Sequence, residues 1–203
     1  MRINLPNALT LFRIALLPVM VAAFYAHDVF PSIPLRAANL TAAIVFVLAG
    51  VTDWLDGWLA RRFNQSSAFG AFLDPVADKL MVAVTLCVLV QSHPTALLAI
   101  TAAVIVGREI AVSALREWMA FVGERGRVKV QWVGKIKTVM QIIAIVVLLL
   151  ERDRDAQILR FWLVGESLLV IAAVLTIWSG LAHLRAAWPA LRMDAGPPGP
   201  PPT

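Results

Sequence analysis

Six long apolar segments, at approximately 7–26, 36–60, 69–91, 95–119, 133–150 and 159–183, leave little chain for anything else. Each comes close to or exceeds the roughly 20 residues needed to cross the hydrocarbon core of a bilayer. A backbone in lipid must satisfy its own N–H and C=O groups, and a helix does so within one segment. The expected fold is therefore an all-α polytopic membrane protein with six transmembrane helices. Hydrophobic residues make up 60% of the 203, charged residues 15%, and the mean hydropathy is +0.77, which excludes an ordinary soluble domain.

The beginning of the chain imitates a secretory signal, since Arg2 precedes an apolar run ending near Ala22, Ala23 and Ala26. Arg13 and Pro18 interrupt that run, and no translocated domain follows. A retained first helix is expected, preceded by a short interfacial segment from Met1 to Pro6. At the other end, the run from Gly196 to Pro202 has the composition of a disordered tail. The expected organisation is one membrane domain over 1–190 and a Pro/Gly-rich tail over 191–203. Cys87 is the single cysteine, so no intramolecular disulfide can form. His27, His93 and His183 fall at separate segment ends and suggest no metal triad. Nor is there an internal repeat of the kind that builds many transporters.

Charge fixes the expected orientation. Polar turns at Asn64 to Ser67 and Gln91 to Pro94, a basic connection between Phe121 and Trp132, and a mixed-charge loop at Glu151 to Asp155 join the spans. With both termini on one side, that side receives fourteen of the eighteen Lys and Arg residues and the other side four. The positive-inside bias then makes both termini cytoplasmic. The net charge of +5 is expected to serve anionic lipid or an anionic substrate, not nucleic acid.

Four acids stand out because they lie in or beside apolar spans: Asp53, Asp56, Asp74 and Asp78. At about 100° per residue, Asp53 and Asp56 share one helix face with Gly57 and Ala60, and Gly70, Asp74 and Asp78 form a matching stripe on the next helix. The short connection between the two helices predicts antiparallel neighbours whose acids meet at one depth. An ionised carboxylate at the bilayer centre costs about 2.5–3.5 kcal/mol even on a lenient scale, so something positive must sit among them. Arg61 and Arg62 lie about 80° or more from Asp53 around the helix, and Lys79 projects away from the Asp74/Asp78 stripe. Hard oxygen donors with no adjacent His or Cys then point to Mg²⁺, Mn²⁺ or Ca²⁺, and a pair of such ions commonly clamps a phosphoryl group. Neutralisation by the basic face without metal, and a proton- or ion-conducting site in an ion-coupled transporter, are the alternatives. A conducting relay would need acids spread across the membrane, whereas these gather near one boundary.

The spacing Asp53-x-x-Asp56-Gly57-x-x-Ala60-Arg61, eight residues, then Gly70-x-x-x-Asp74-x-x-x-Asp78 resembles the full signature of the CDP-alcohol phosphatidyltransferase family. The resemblance implies transfer of a phosphatidyl or related group from a CDP-linked donor to an acceptor hydroxyl, releasing CMP. It implies Mg²⁺ or Mn²⁺, two ions per site, held by Asp53, Asp56, Asp74 and Asp78, with Asp78 also the base on the acceptor hydroxyl. Thr52, Asp53, Asp56, Gly57, Ala60, Arg61, Gly70 and Asp74 would line the CDP pocket. A homodimer and a bacterial inner-membrane location, with the site at the cytoplasmic side, follow from the same resemblance.

The acceptor has to be read from other residues. Arg108, Arg116, Lys135 and Lys137 gather near the expected cytoplasmic halves of spans four and five, and such a cluster suits an acceptor that carries its own phosphate. The segments Asn4 to Arg13, Phe63 to Ser66, Arg108 to Trp118 and Gly134 to Thr138 resemble the branch of the family that joins CDP-diacylglycerol to sn-glycerol 3-phosphate. The resemblance extends from about Leu5 to Leu184. Asn7, Thr10 and Arg13 would border the nucleotide or acceptor pocket. Same-family cardiolipin synthases and inositol-phosphate transferases are the nearest alternatives.

Overall fold

A computed structural model describes residues 5–63, 68–121, 132–151 and 159–194. They form six helices: α1 (Leu5–Val29), α2 (Leu35–Phe63), α3 (Ala68–Ser92), α4 (Ala96–Phe121), α5 (Trp132–Leu150) and α6 (Leu159–Asp194). Four of them contain stretches long and apolar enough to cross a membrane: Ala8–Val29, Leu35–Leu55, Ala96–Phe121 and Phe161–Trp188. A shorter apolar helix, Ile136–Leu150, belongs to α5. In α3 the charges of Asp74, Asp78 and Lys79 occupy the first half and leave the apolar run to the second. An all-helical, multi-pass membrane protein accounts for these segments.

Local chemistry sets the helix ends. Leu5 and Pro6, expected in an interfacial segment, instead belong to the first turn of α1, where a proline's missing N–H costs nothing. Met1 to Asn4 lie outside the described residues. Thr95 caps α4, its Oγ1 accepting the Leu98 N–H at 3.1 Å. The limit expected at residue 190 falls inside α6, because Leu191, Arg192 and Met193 sustain helix until the chain approaches Pro197. Residues 195–203, with most of the expected tail, lie outside the described residues.

Neighbouring helices close a ring in the order α1, α2, α5, α6, α4, α3 and back to α1. The α2 and α3 helices do touch, as expected of neighbours, but only over a short stretch, and α1 lies against both. Two acidic stripes repel each other, so a helix carrying a cation sits better beside both than either stripe beside the other.

The packed core occupies one end of the ring. Met20, Phe24, Leu86, Leu89, Leu98, Ile105, Ile145, Leu148, Leu149 and Leu169 are wholly buried there. Lipid is as apolar as these side chains, so close packing and hydrogen bonds between helices must supply the attraction. The Tyr25 hydroxyl donates to Gln91 Oε1 at 3.0 Å, Asn39 Nδ2 to the Leu150 carbonyl at 3.3 Å, and Thr95 Oγ1 to Glu166 Oε1 at 3.2 Å. The outward flank carries Phe12, Trp54, Ile100, Phe161 and Trp178, as a lipid-facing surface should. Polar side chains collect at the opposite end, where α1, α3 and α5 begin and α2, α4 and α6 finish.

Gly165 of α6 lies tightly against α5. A Cβ added there would stand 2.9 Å from Leu148 Cγ and Cδ2 and 3.1 Å from Val147 Cγ1. Gly165→Val is expected to destabilise the fold by about 1–3 kcal/mol through overpacking. Thermal unfolding of the detergent-solubilised protein should show the loss, and Leu148→Ala in the same chain should restore part of it.

Candidate active site

The first helix brings a buried cation to the acids. Arg13, one turn beyond Thr10 on α1, is only 2% exposed. Its Nη1 lies 2.9 Å from Asp53 Oδ1 on α2 and 2.5 Å from Asp78 Oδ1 on α3. One guanidinium nitrogen thus joins three helices. Thr10, 1% exposed, donates its hydroxyl proton to Asp74 Oδ1. The sequence reading, which sought the counter-charge on α2 and α3, missed that it comes from α1.

Backbone geometry within α3 supports this arrangement. Asp74 and Asp78 are one turn apart and share a face. Pro75 between them has no N–H to return to the preceding turn, so one intrahelical bond is missing where the acids stand. On α2, Thr52 spends its hydroxyl proton on the Ala49 carbonyl at 2.7 Å, while its oxygen can still accept a bond. Gly50 opens onto space: nothing stands within 4 Å of a Cβ placed there. Gly70 is buried near the start of α3. The backbones of Asn7, Asp56, Gly57, Ala60, Arg61 and Lys135 are helical, but their side-chain placements lie outside the described residues.

Two of the acceptor candidates, Arg108 and Lys137, form a second charged group. Glu109 on α4 receives hydrogen bonds from Lys137 Nζ on α5 and from Arg108 Nη1, the latter at 3.3 Å. Arg108 Nη2 also donates to Ser179 Oγ on α6 at 2.8 Å. Gly180 makes room for this side chain, since a Cβ there would lie 3.2 Å from Arg108 Cγ. Lys137 is 3% exposed and Ser179 1%. Glu109, Ser179 and Gly180 had no part in the sequence reading of the site. The adjacency of Glu109 to Arg108 was the one available signal, and the α6 contacts leave none in a single sequence.

Three cavities meet at Asp78. One of about 380 Å³, lined by Ala49, Gly50, Asp53, Trp54, Met81 and Ile142 among others, runs between α2, α3 and α5. A second of about 410 Å³, bordered by Val76, Leu80, Ala83, Val106, Glu109 and Ile110, runs between α3, α4 and α5. Thr138 and Gln141 of α5 and Val82 of α3 stand between these two mainly apolar clefts. Gln141 is 5% exposed, and its Oε1 has no hydrogen-bond partner among the described residues. The third cavity, about 490 Å³, is the most polar of the three and is bordered by Asp74, Asp78, Lys79, Glu109, Ser113, Arg116 and Glu117.

The donor chemistry of the acidic group fits a hard divalent ion: among the described residues its oxygens are the carboxylates of Asp53, Asp74 and Asp78 and the Thr10 hydroxyl. Among the described residues, no three His, Cys, Asp or Glu side chains converge closely enough to hold a metal. The side chain of Asp56 is not among those described.

Fold and site together define a helical, multi-pass membrane protein with an acidic centre joined to both apolar and polar cavities. The chain belongs to the CDP-alcohol phosphatidyltransferase family, which it matches over residues 3–178. Among its relatives is the CDP-diacylglycerol–glycerol-3-phosphate 3-phosphatidyltransferase of Yersinia pestis, 47% identical over 93% of this chain and 97% of the relative. Proteins of the same name from Pectobacterium atrosepticum and Pseudomonas fluorescens are 48% and 49% identical, over 92% and 94% of this chain and 96% and 93% of theirs.

Arg13→Met would remove the cation shared by Asp53 and Asp78. The expected loss is about 1–3 kcal/mol, below the roughly 3–5 kcal/mol typical of a fully buried pair because both carboxylates remain partly solvated. Thermal unfolding of Arg13→Met beside Arg13→Lys checks it, with the lysine variant retaining most of the stability. An unchanged midpoint in Arg13→Met would show that the bridge contributes nothing.

Proposed function

We propose that this protein transfers the phosphatidyl group of CDP-diacylglycerol to sn-glycerol 3-phosphate, giving phosphatidylglycerophosphate and CMP. The observation that carries this reading is the meeting at Asp78 of two mainly apolar clefts and one more polar cavity bordered by charged side chains of both signs. A reaction between a lipid-linked donor and a small phosphorylated acceptor requires such a junction. The names of relatives 47–49% identical over nearly the whole chain support the same donor and acceptor.

In this reading the primary hydroxyl of glycerol 3-phosphate attacks the phosphorus next to diacylglycerol. The new O–P bond forms as the bond from that phosphorus to the bridging diphosphate oxygen breaks, and CMP leaves. Asp78 accepts the hydroxyl proton, which its position at the junction of all three cavities favours. Asp53, Asp56, Asp74 and Asp78 would hold two Mg²⁺ or Mn²⁺ ions, whose charge neutralises the diphosphate and the departing CMP. Thr52, Gly57, Ala60, Arg61 and Gly70 would border the cytidine diphosphate. Asn7, Thr10 and Arg13 would border the pocket from α1, with Thr10 and Arg13 orienting Asp74 and Asp78 through their hydrogen bonds.

For the acceptor, Arg116 borders the polar cavity directly. Arg108 and Lys137 stand behind Glu109 and contribute positive field from there, with Lys135 on the same helix as Lys137. The unequal distribution of Lys and Arg supports cytoplasmic termini, six membrane crossings and a cytoplasmic-side site in a bacterial inner membrane. The family resemblance supports a homodimer, and the membrane lipids around it would include the donor.

Purified protein given CDP-diacylglycerol, Mg²⁺ or Mn²⁺ and glycerol 3-phosphate should release CMP, and EDTA should stop it. Release with phosphatidylglycerol or inositol phosphate but not glycerol 3-phosphate would overturn the assignment. Asp78→Asn is expected to lower kcat by about 10²- to 10⁴-fold. A kcat equal to that of the wild type in this variant would remove Asp78 as the base.

A further inference from the structure

The polar cavity contains a cation that neither the signature nor the acceptor cluster assigns. Lys79 follows Asp78 directly, and the rotation of about 100° per residue turns it out of the acidic stripe toward α4. There Nζ donates to Ser113 Oγ. Lys79 borders both the polar cavity and the adjoining cleft between α3, α4 and α5, so it stands where the water-soluble and lipid-facing spaces join.

The other described cations near it are arranged differently. Arg108 gives Nη1 to Glu109 and Nη2 to Ser179, and Lys137 gives Nζ to Glu109. Neither borders the polar cavity, whereas Lys79 and Arg116 do. Because Arg108 and Lys137 already offset Glu109, its carboxylate does not cancel Lys79 and Arg116. Asp74 and Asp78 face Thr10 and Arg13 on the other side. The cavity is therefore divided, with Asp74 and Asp78 toward α1, and Lys79 and Arg116 toward α4, where Glu117 also borders it.

We infer that Lys79, held in place by Ser113, fixes the phosphate of the acceptor beside Asp78, with Arg116 reaching the same phosphate from α4. An ammonium has three N–H donors, and Ser113 takes one. A phosphate monoester can take the others while the far hydroxyl of a three-carbon acceptor points toward the acids. Lys79 and Asp78 are adjacent in the chain, so a phosphate bound to the first places that hydroxyl near the second. The inference rests on the proposed reaction, and its test separates the two.

Steady-state CMP release is measured with wild type, Lys79→Met, Lys79→Arg and Ser113→Ala, varying glycerol 3-phosphate and CDP-diacylglycerol in turn. Lys79→Met is expected to raise KM for glycerol 3-phosphate about 10- to 100-fold, the loss of a hydrogen bond to a charged group, with KM for CDP-diacylglycerol nearly unchanged. Lys79→Arg should recover part of the loss, and Ser113→Ala should shift the same KM in the same direction by less. A helix-bridging role alone would lower stability without this selective change. An unmoved KM for glycerol 3-phosphate in folded Lys79→Met, or a rise in KM for CDP-diacylglycerol instead, would overturn the inference and leave the reaction standing. If Lys79→Met does not fold, Lys79→Gln and Ser113→Ala decide by the same criterion. Wild-type protein inactive with glycerol 3-phosphate would overturn the reaction and the inference together.

Discussion

The contact of one buried guanidinium nitrogen with Asp53 and Asp78 organises the polar end of this protein. Without a cation, two carboxylates facing each other would repel and force their helices apart. Arg13 instead lets α2 and α3 present their acids to a common space while α1 fills the gap between them. Thr10 adds a neutral hydrogen bond to Asp74 one turn earlier. The ring of helices can then stay open around the acids and closely packed at the far end.

A second charge group, built on Glu109, holds α4 to α5 and leads into α6. Arg108 extends the connection through Ser179, at a place where Gly180 offers no side chain to obstruct it. Placing this cluster one helix away from the acids separates opposite charges that would otherwise collapse onto each other. In the proposed reaction a phosphorylated acceptor would enter between them, because each set already has internal partners.

Much of this could be read from the chain. Apolar runs locate the helices because lipid demands continuous hydrophobicity, and the signature spacing places the acids because a helix repeats every 3.6 residues. What escaped was the pairing between distant segments. Arg13 looks like a defect in the first apolar run, and only the packing of α1 against both α2 and α3 shows it to be the counter-ion of residues forty and sixty-five positions away. Lys79 was correctly placed off the acidic stripe, but its partner Ser113 belongs to another helix. Gly165 and Gly180 give no local sign of their work either, because both accommodate side chains from neighbouring helices.

The two apolar clefts beside Asp78 are bordered by Val47, Val51, Trp54, Leu80 and Ile110, all exposed on the outer flank. In the proposed reaction a two-tailed reactant using them would approach sideways, diffusing within the plane of the lipid sheet, and its product would leave by the same lateral route. No acyl chain would then have to be drawn through water. The small charged reactant would arrive through a different doorway, so traffic in two dimensions and in three would meet at one carboxylate.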